Sequence, residues 1–195
     1  LHRSVAVGGR HLALPLEEYA DLQPWGKANS AWIRVGLEVG ERAVREALER
    51  ARLKLSDVGA FFFTTVTGVA TPSLDARLFN RLQMPPHAKR FPIFGLGCLA
   101  CAAGRGRAAD YVKAYPDQAA LLLSVELCSL TVQQQDLSIP NIISTGLFGD
   151  GAACAVVLGE ELAQARADDH DPGPRVLATE SVFYPDTEDV MGWDI

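Results

Sequence analysis

The stretch "FGLGCLACAAGRG", Phe94 to Gly106, sets two cysteines three positions apart between an apolar run and a segment rich in alanine and glycine. Upstream, "RFPIFGL" (90–96) has the aromatic and β-branched content of a strand, and Pro92 is expected among its first residues because proline cannot donate to a ladder. Downstream, "CLACAAGRGRAADYVKAY" (98–115) reads as a helix. Cys98 therefore falls where a strand ends and a helix begins, the junction that repeats through α/β folds.

The same alternation extends in both directions. Within residues 26–53, Ile33, Leu37, Val44 and Leu48 recur at spacings of four and seven, which predicts an amphipathic helix with a Glu/Arg outer face. "VGAFFFTTVTG" (58–68) reads as a buried strand, and "SLDARLFNRL" (73–82) as a short helix after Pro72 with Ser73 as its N-cap. "QAALLLSVEL" (118–127) has the look of a central parallel strand, its Glu126 expected to be a buried, hydrogen-bonded structural carboxylate. "IPNIISTGLF" (139–148) reads as a helix. "GDGAACAVVLG" (149–159) reads as a tight turn into a strand, with Gly149, Asp150 and Gly151 shaping a hairpin and taking no part in chemistry. "ELAQARADDHDPGP" (161–174) reads as a loop and "RVLATESVFY" (175–184) as a last strand. The pattern predicts a layered α/β domain with a mainly parallel mixed sheet flanked by helices.

The chain's 195 residues fit one large domain, and a hydrophobic fraction of 48% is ample for a core. A net charge of -6 argues against a nucleic-acid partner, and the apolar runs are far shorter than a membrane span. No signal peptide is evident, and the start at Leu1 in place of Met suggests a segment of something longer. Cys98, Cys101, Cys128 and Cys154 lie in or beside apolar runs, as expected of reduced thiols in a cytoplasmic protein.

At a helix mouth, backbone N–H groups lack intrahelical partners and the helix dipole favours a thiolate. The same N–H groups can hold the oxyanion of a tetrahedral intermediate, so Cys98 suits covalent acyl transfer. Three other readings stand beside that one. Free cysteines commonly do no more than pack. C-x-x-C also opens thioredoxin-type helices, although Leu99-Ala100 between the thiols and the chain's organisation are unlike a bare thioredoxin. A zinc site lacks its second ligand pair.

"TGVATPSLDARLFNRLQMP", "FGLGCLACAAG", "SVELCSLT", "LFGDGAACAVVL" and "YPDTEDVMGWDI" occur in this order, and together they resemble bacterial type III polyketide synthases of the chalcone-synthase-like group. The resemblance covers nearly the whole chain. "LFGDGAA" is shared with ketoacyl-ACP synthase III and other thiolase-fold enzymes; its combination with "TGVATPSLDARL" and "MGWDI" is more specific. The resemblance implies a thiolase-like fold. Residues 1–195 would be the N-terminal half of its αβαβα layers, in a cytoplasmic homodimer. It further implies decarboxylative condensation of malonyl-CoA onto an acyl-CoA starter, giving a pyrone or phenolic product. CoA thioesters would be substrates, with no cofactor, metal, carrier protein, nucleic acid or membrane involved.

Cys98 matches the family nucleophile, and Cys101 stands where the family has glycine, implying a small packed residue. Phe148 matches the gatekeeper that orients the malonyl group. Val66 and Thr67 match the cavity wall, and Cys128 and Thr131 the starter and cyclisation cavity. Thr71 matches the residue that reaches across the dimer, its bond to Pro72 expected to be cis. The family completes its site with a histidine and an asparagine from the second half of the fold. His2, His11, His87 and His170 match no such motif and read as surface residues, so this chain alone is expected to be inactive. Of the family's basic CoA-binding stretch only Arg3 and Arg10 stand nearby, and neither is assigned a role. The runner-up is a ketoacyl-ACP synthase III-like enzyme with an acidic carrier-protein partner. From other classes come a thiol–disulfide oxidoreductase bridging Cys98 and Cys101, and a non-catalytic scaffold.

Overall fold

The β1 strand, Val58–Thr65, is buried at every position, and β3, Ala119–Leu127, nearly so, because both faces of the sheet they share are covered. The computed structural model describes residues 6–22, 24–167 and 173–192. Besides these strands it contains α1 (Trp25–Arg50), α2 (Leu74–Leu82), β2 (Lys89–Phe94), α3 (Ala100–Ala114), α4 (Ile139–Leu147), β4 (Asp150–Leu158) and α5 (Glu160–Gln164). Strand order is β2-β1-β3-β4, with β2, β1 and β3 parallel and β4 antiparallel to β3.

Side-chain alternation along each strand sorts the core into two layers. Phe61, Phe63, Leu121, Leu123 and Val125 pack on α1 and α2 around Trp32, Val44, Leu74 and Leu78. Ala60, Phe62, Ala120 and Leu122 face α3 at Ala108, Tyr111 and Val112. The α3 backbone lies close on the sheet: a Cβ at Gly104 would stand 2.6 Å from Leu122 Cδ1. The α/β class, mixed sheet and flanking helices agree with the expectation.

Several local expectations are corrected. Pro92 sits fourth in β2, opposite Phe63, and is tolerated there because β2 is an edge strand with an open side. Ser73 takes the expected N-cap position of α2, its carbonyl accepting from Ala76 N at 3.0 Å, but its hydroxyl makes no capping bond and donates to the Asp75 carboxylate instead. Asp75 is fully buried and accepts from Arg90 Nε at 2.7 Å. Gly149-Asp150-Gly151 forms no hairpin: Asp150 and Gly151 already pair with Leu127 and Glu126 in the ladder, and α4 fills the connection. The loop expected over 161–174 begins inside α5, and residues 168–172 lie outside the described part. Residues 175–184 form no strand, because among the described residues no neighbour offers them a ladder. Their Leu177 and Phe183 are 87% and 85% exposed.

Candidate functional site

The carboxyl ends of β1, β2 and β3 open on one edge of the sheet, where α/β folds place their ligands. After β2, Gly95 (φ 88°) and Gly97 (φ 53°) adopt left-handed conformations that side chains other than glycine's resist. They turn the chain into a single 3-10 turn, Gly97–Leu99, which runs directly into α3. Cys98 occupies that turn and is exposed. Cys101 is exposed within the first turn of α3, and all four cysteines are free.

Val66 and Thr67 follow β1 and are held by Glu126 near the end of β3. One carboxylate accepts from Val66 N at 3.1 and 3.2 Å, from Thr67 Oγ1 at 2.8 Å and from Thr65 Oγ1 at 3.5 Å. Thr67 Oγ1 in turn accepts from Leu127 N at 2.9 Å. Burial pushes the Glu126 carboxyl above the ordinary glutamate range, against the opposing pull of those hydrogen bonds. It is the structural carboxylate the sequence suggested, half-buried rather than fully so.

Cys128 and Thr131 lie in the turn that follows β3, with Thr131 Oγ1 donating to Cys128 O at 2.9 Å. Burial pushes the Cys128 thiol up to about 11, and the nearby carboxylates of Glu126 and Asp150 add to the rise. Asp150 pins this turn: it accepts from Ser129 N at 2.8 Å, from Ala13 N at 2.5 Å and from the Ser129 hydroxyl, which also pairs with Tyr19 Oη at 2.6 Å. Phe148 ends α4, two residues before that carboxylate, and is 37% exposed.

Val66, Thr67, Cys98, Cys128, Thr131 and Phe148 therefore share one end of the sheet. Thr71 stands exposed on the β1–α2 loop, and its bond to Pro72 is cis. His11 and His87 are exposed, whereas His2, Arg3, His170 and Trp193–Ile195 lie outside the described residues. A cleft of about 420 Å³ lies between Ala102, Arg105 and Gly106 of α3 and residues 175–179; Cys98 does not line it. Among the described residues no group of three or more His, Cys, Asp or Glu could hold a metal ion, and no helix is long and apolar enough to cross a membrane. Sequence reasoning missed Asp150 and Tyr19 as organisers. The available signal was one carboxylate isolated at the head of an apolar strand.

Residues 26–161 match the family model of chalcone and stilbene synthases, N-terminal domain. The chain is 50% identical over 195 residues to 1,3,6,8-tetrahydroxynaphthalene synthase of Streptomyces peucetius subsp. caesius, covering 100% of this chain and 50% of that protein. It is 34% identical to phloroglucinol synthase of Pseudomonas fluorescens, covering 97% of this chain and 52% of that one. Among solved structures, 1,3,6,8-tetrahydroxynaphthalene synthase of Streptomyces coelicolor A3(2), a bacterial type III polyketide synthase, superimposes with a TM-score of 0.90 at 32% identity, over 99% of this chain and 53% of that one. The fold is thus the thiolase-like fold of those synthases, and the chain spans about half the length of the curated relatives it matches.

Proposed function

This chain belongs to the chalcone and stilbene synthases, whose N-terminal domain it matches, and from that premise we propose that it carries the nucleophile of a type III polyketide synthase. The observation that supports this reading best is Cys98, free and exposed in the turn that opens α3 at the carboxyl end of a parallel sheet. The Cys98 thiolate attacks the starter's thioester carbon, and CoA leaves as the thiol. An oxyanion on that carbon would take backbone N–H donors from α3 beyond Ala100, whose own N–H already donates to Gly97 O. Malonyl-CoA then loses carbon dioxide, and its enolate attacks the Cys98-bound acyl carbon. Repetition extends the chain until it cyclises to a pyrone or phenol, in keeping with the aromatic products that the relatives' names record.

Phe148 orients the malonyl unit, and Val66, Thr67, Cys128 and Thr131 line the space in which the chain grows. Thr71 contributes to the partner's cavity in a cytoplasmic homodimer. No cofactor is required beyond the CoA thioesters. The family's histidine and asparagine have no counterpart among these residues. The 195 residues on their own are therefore expected to load acyl groups slowly and to leave malonyl-CoA intact.

The test is intact-protein mass spectrometry after incubation with a panel of acyl-CoA starters. Cys98→Ala should lose the acyl mass increment and Cys101→Ala should keep it. Loading at Cys101 with none at Cys98, or a reversible Cys98–Cys101 bridge in place of loading, would overturn the assignment.

A further inference from the structure

Two thiols stand one helical turn apart at the mouth of α3, and the reading of Cys98 as a nucleophile uses only one of them. The family resemblance predicts a small packed residue at position 101, yet Cys101 is exposed. Of the four cysteines, Cys98 and Cys101 alone are exposed; Cys128 and Cys154 are half-buried on other elements. The backbone between the exposed pair is right-handed helix throughout, with φ -72° and ψ -19° at Leu99 and φ -55° and ψ -39° at Ala100. Leu99 N donates to Leu96 O at 3.2 Å and Ala100 N to Gly97 O, so hydrogen bonds close the turn around Cys98. Residues three apart on such a turn have Cα atoms about 5–6 Å apart, inside the window of roughly 4.4–6.8 Å that a disulfide requires. Ala100, 2% exposed, and buried Gly104 mark the inward face of α3, which leaves Cys98 and Cys101 together on the outer one.

We propose that Cys98 and Cys101 form a peroxide-responsive dithiol, in which a reversible disulfide masks the nucleophile and shields it from irreversible oxidation. The bridge rests on the geometry of the turn; its effect on acyl loading rests on the reading of Cys98 as the thioester nucleophile. The Cys98 thiolate attacks one oxygen of hydrogen peroxide, the O–O bond breaks, and hydroxide leaves to be protonated to water. Cys98 is then a sulfenic acid. The Cys101 thiolate attacks its sulfur, the S–O bond breaks, and a second hydroxide leaves as water. Two thiols are thereby oxidised to one disulfide while the peroxide is reduced to two waters. A dithiol reductant reverses the bridge by exchange. With no second thiol in reach, the sulfenic acid goes on to sulfinic acid, which thiol reductants do not restore.

The experiment treats the reduced protein with hydrogen peroxide, removes the peroxide with catalase, alkylates, and maps the tryptic peptide 91–105, which carries both cysteines. The parent should give that peptide unalkylated and lighter by two hydrogens, and its loading by an acyl-CoA starter should fall by about tenfold or more. Dithiothreitol should restore both thiols and the loading. Cys101→Ala should load like the parent before oxidation. After the same peroxide dose it should gain two oxygens at Cys98 and recover at least about threefold less loading with dithiothreitol. Full alkylation of both cysteines after peroxide, a bridge from Cys98 to Cys128, or equal recovery of the parent and Cys101→Ala would overturn the proposal. If the bridge forms but the reduced parent never loads an acyl group, the dithiol stands and the synthase reading falls. If the parent loads and no bridge forms, this inference falls alone.

Discussion

Alkylation of the four cysteines by iodoacetamide should rank them in an order set by their surroundings, and Cys128 gives the sharpest number. At pH 8 a thiol with the ordinary pKa of 9.0 is about one-tenth ionised, and one pushed up to about 11 is ionised at about one part in a thousand. Since only the thiolate reacts, Cys128 should label about a hundredfold more slowly than a free cysteine peptide. Cys154, pushed up to about 12 by burial alone, should be slower by about another factor of ten. Steric shielding would slow both further, so the informative quantity is the pH–rate profile. The Cys128 rate should climb about tenfold per pH unit and turn over near 11. Burial is the largest cause of the rise and the Glu126 charge comes second, so Glu126→Gln should move the turnover down only part of the way. Peptide mapping by mass spectrometry across a pH series reads every site at once. A Cys128 turnover near the ordinary value would refute the claim that burial silences this thiol. Complete recovery in Glu126→Gln would show that charge, not burial, governs it.

Two further substitutions test the scaffold. A Cβ at Gly68 would stand 2.1 Å from Trp32 Cδ2, on a ring that is 1% exposed, so Gly68→Ala should destabilise the fold by about 2–3 kcal/mol in urea titration; an unchanged midpoint would mean the β1–α2 loop gives way freely. Glu126 has its folded-state pKa raised, so the folded state binds more protons than the unfolded one between the ordinary glutamate value and that raised value. Stability should fall as pH rises through this window and level off above it. Glu126→Gln should remove the fall, and an equally steep decline in the variant would place the responsible group elsewhere.

What could be read in advance depended on whether a feature is carried by one segment or by two. β1 and β3 were legible because a run that is apolar on both faces needs no knowledge of its neighbours. Pro92 was displaced in the reading because the edge position of β2 is a property of the sheet, not of "RFPIFGL". Residues 175–184 have strand composition, yet a strand exists only where a partner supplies the other half of the ladder. Asp150 looked like a turn residue because its partner Ala13 lies 137 positions away. Cys98 was legible as a helix-mouth thiol from local sequence. Val66, Thr67 and Cys128 read as ordinary strand-end residues until the family resemblance grouped them, and the hydrogen bonds to Glu126 show what joins two of them.

Two carboxylates account for the order of this site without standing at its chemical centre. Glu126 and Asp150 occupy neighbouring rungs of the β3–β4 ladder, Glu126 paired with Gly151 and Leu127 with Asp150. From there Glu126 ties down the end of β1, and Asp150 ties down the 128–131 turn and the 10–13 segment. Such charge-assisted hydrogen bonds fix loops more firmly than the apolar contacts available at an open sheet edge. The same negative charges disfavour a thiolate beside them, which is why the Cys128 thiol is pushed up. A nucleophile at this end of the sheet is better placed on a different element, one whose own dipole is positive toward the site. The 15-residue α3 offers that end, and Cys98 stands in the turn that leads into it.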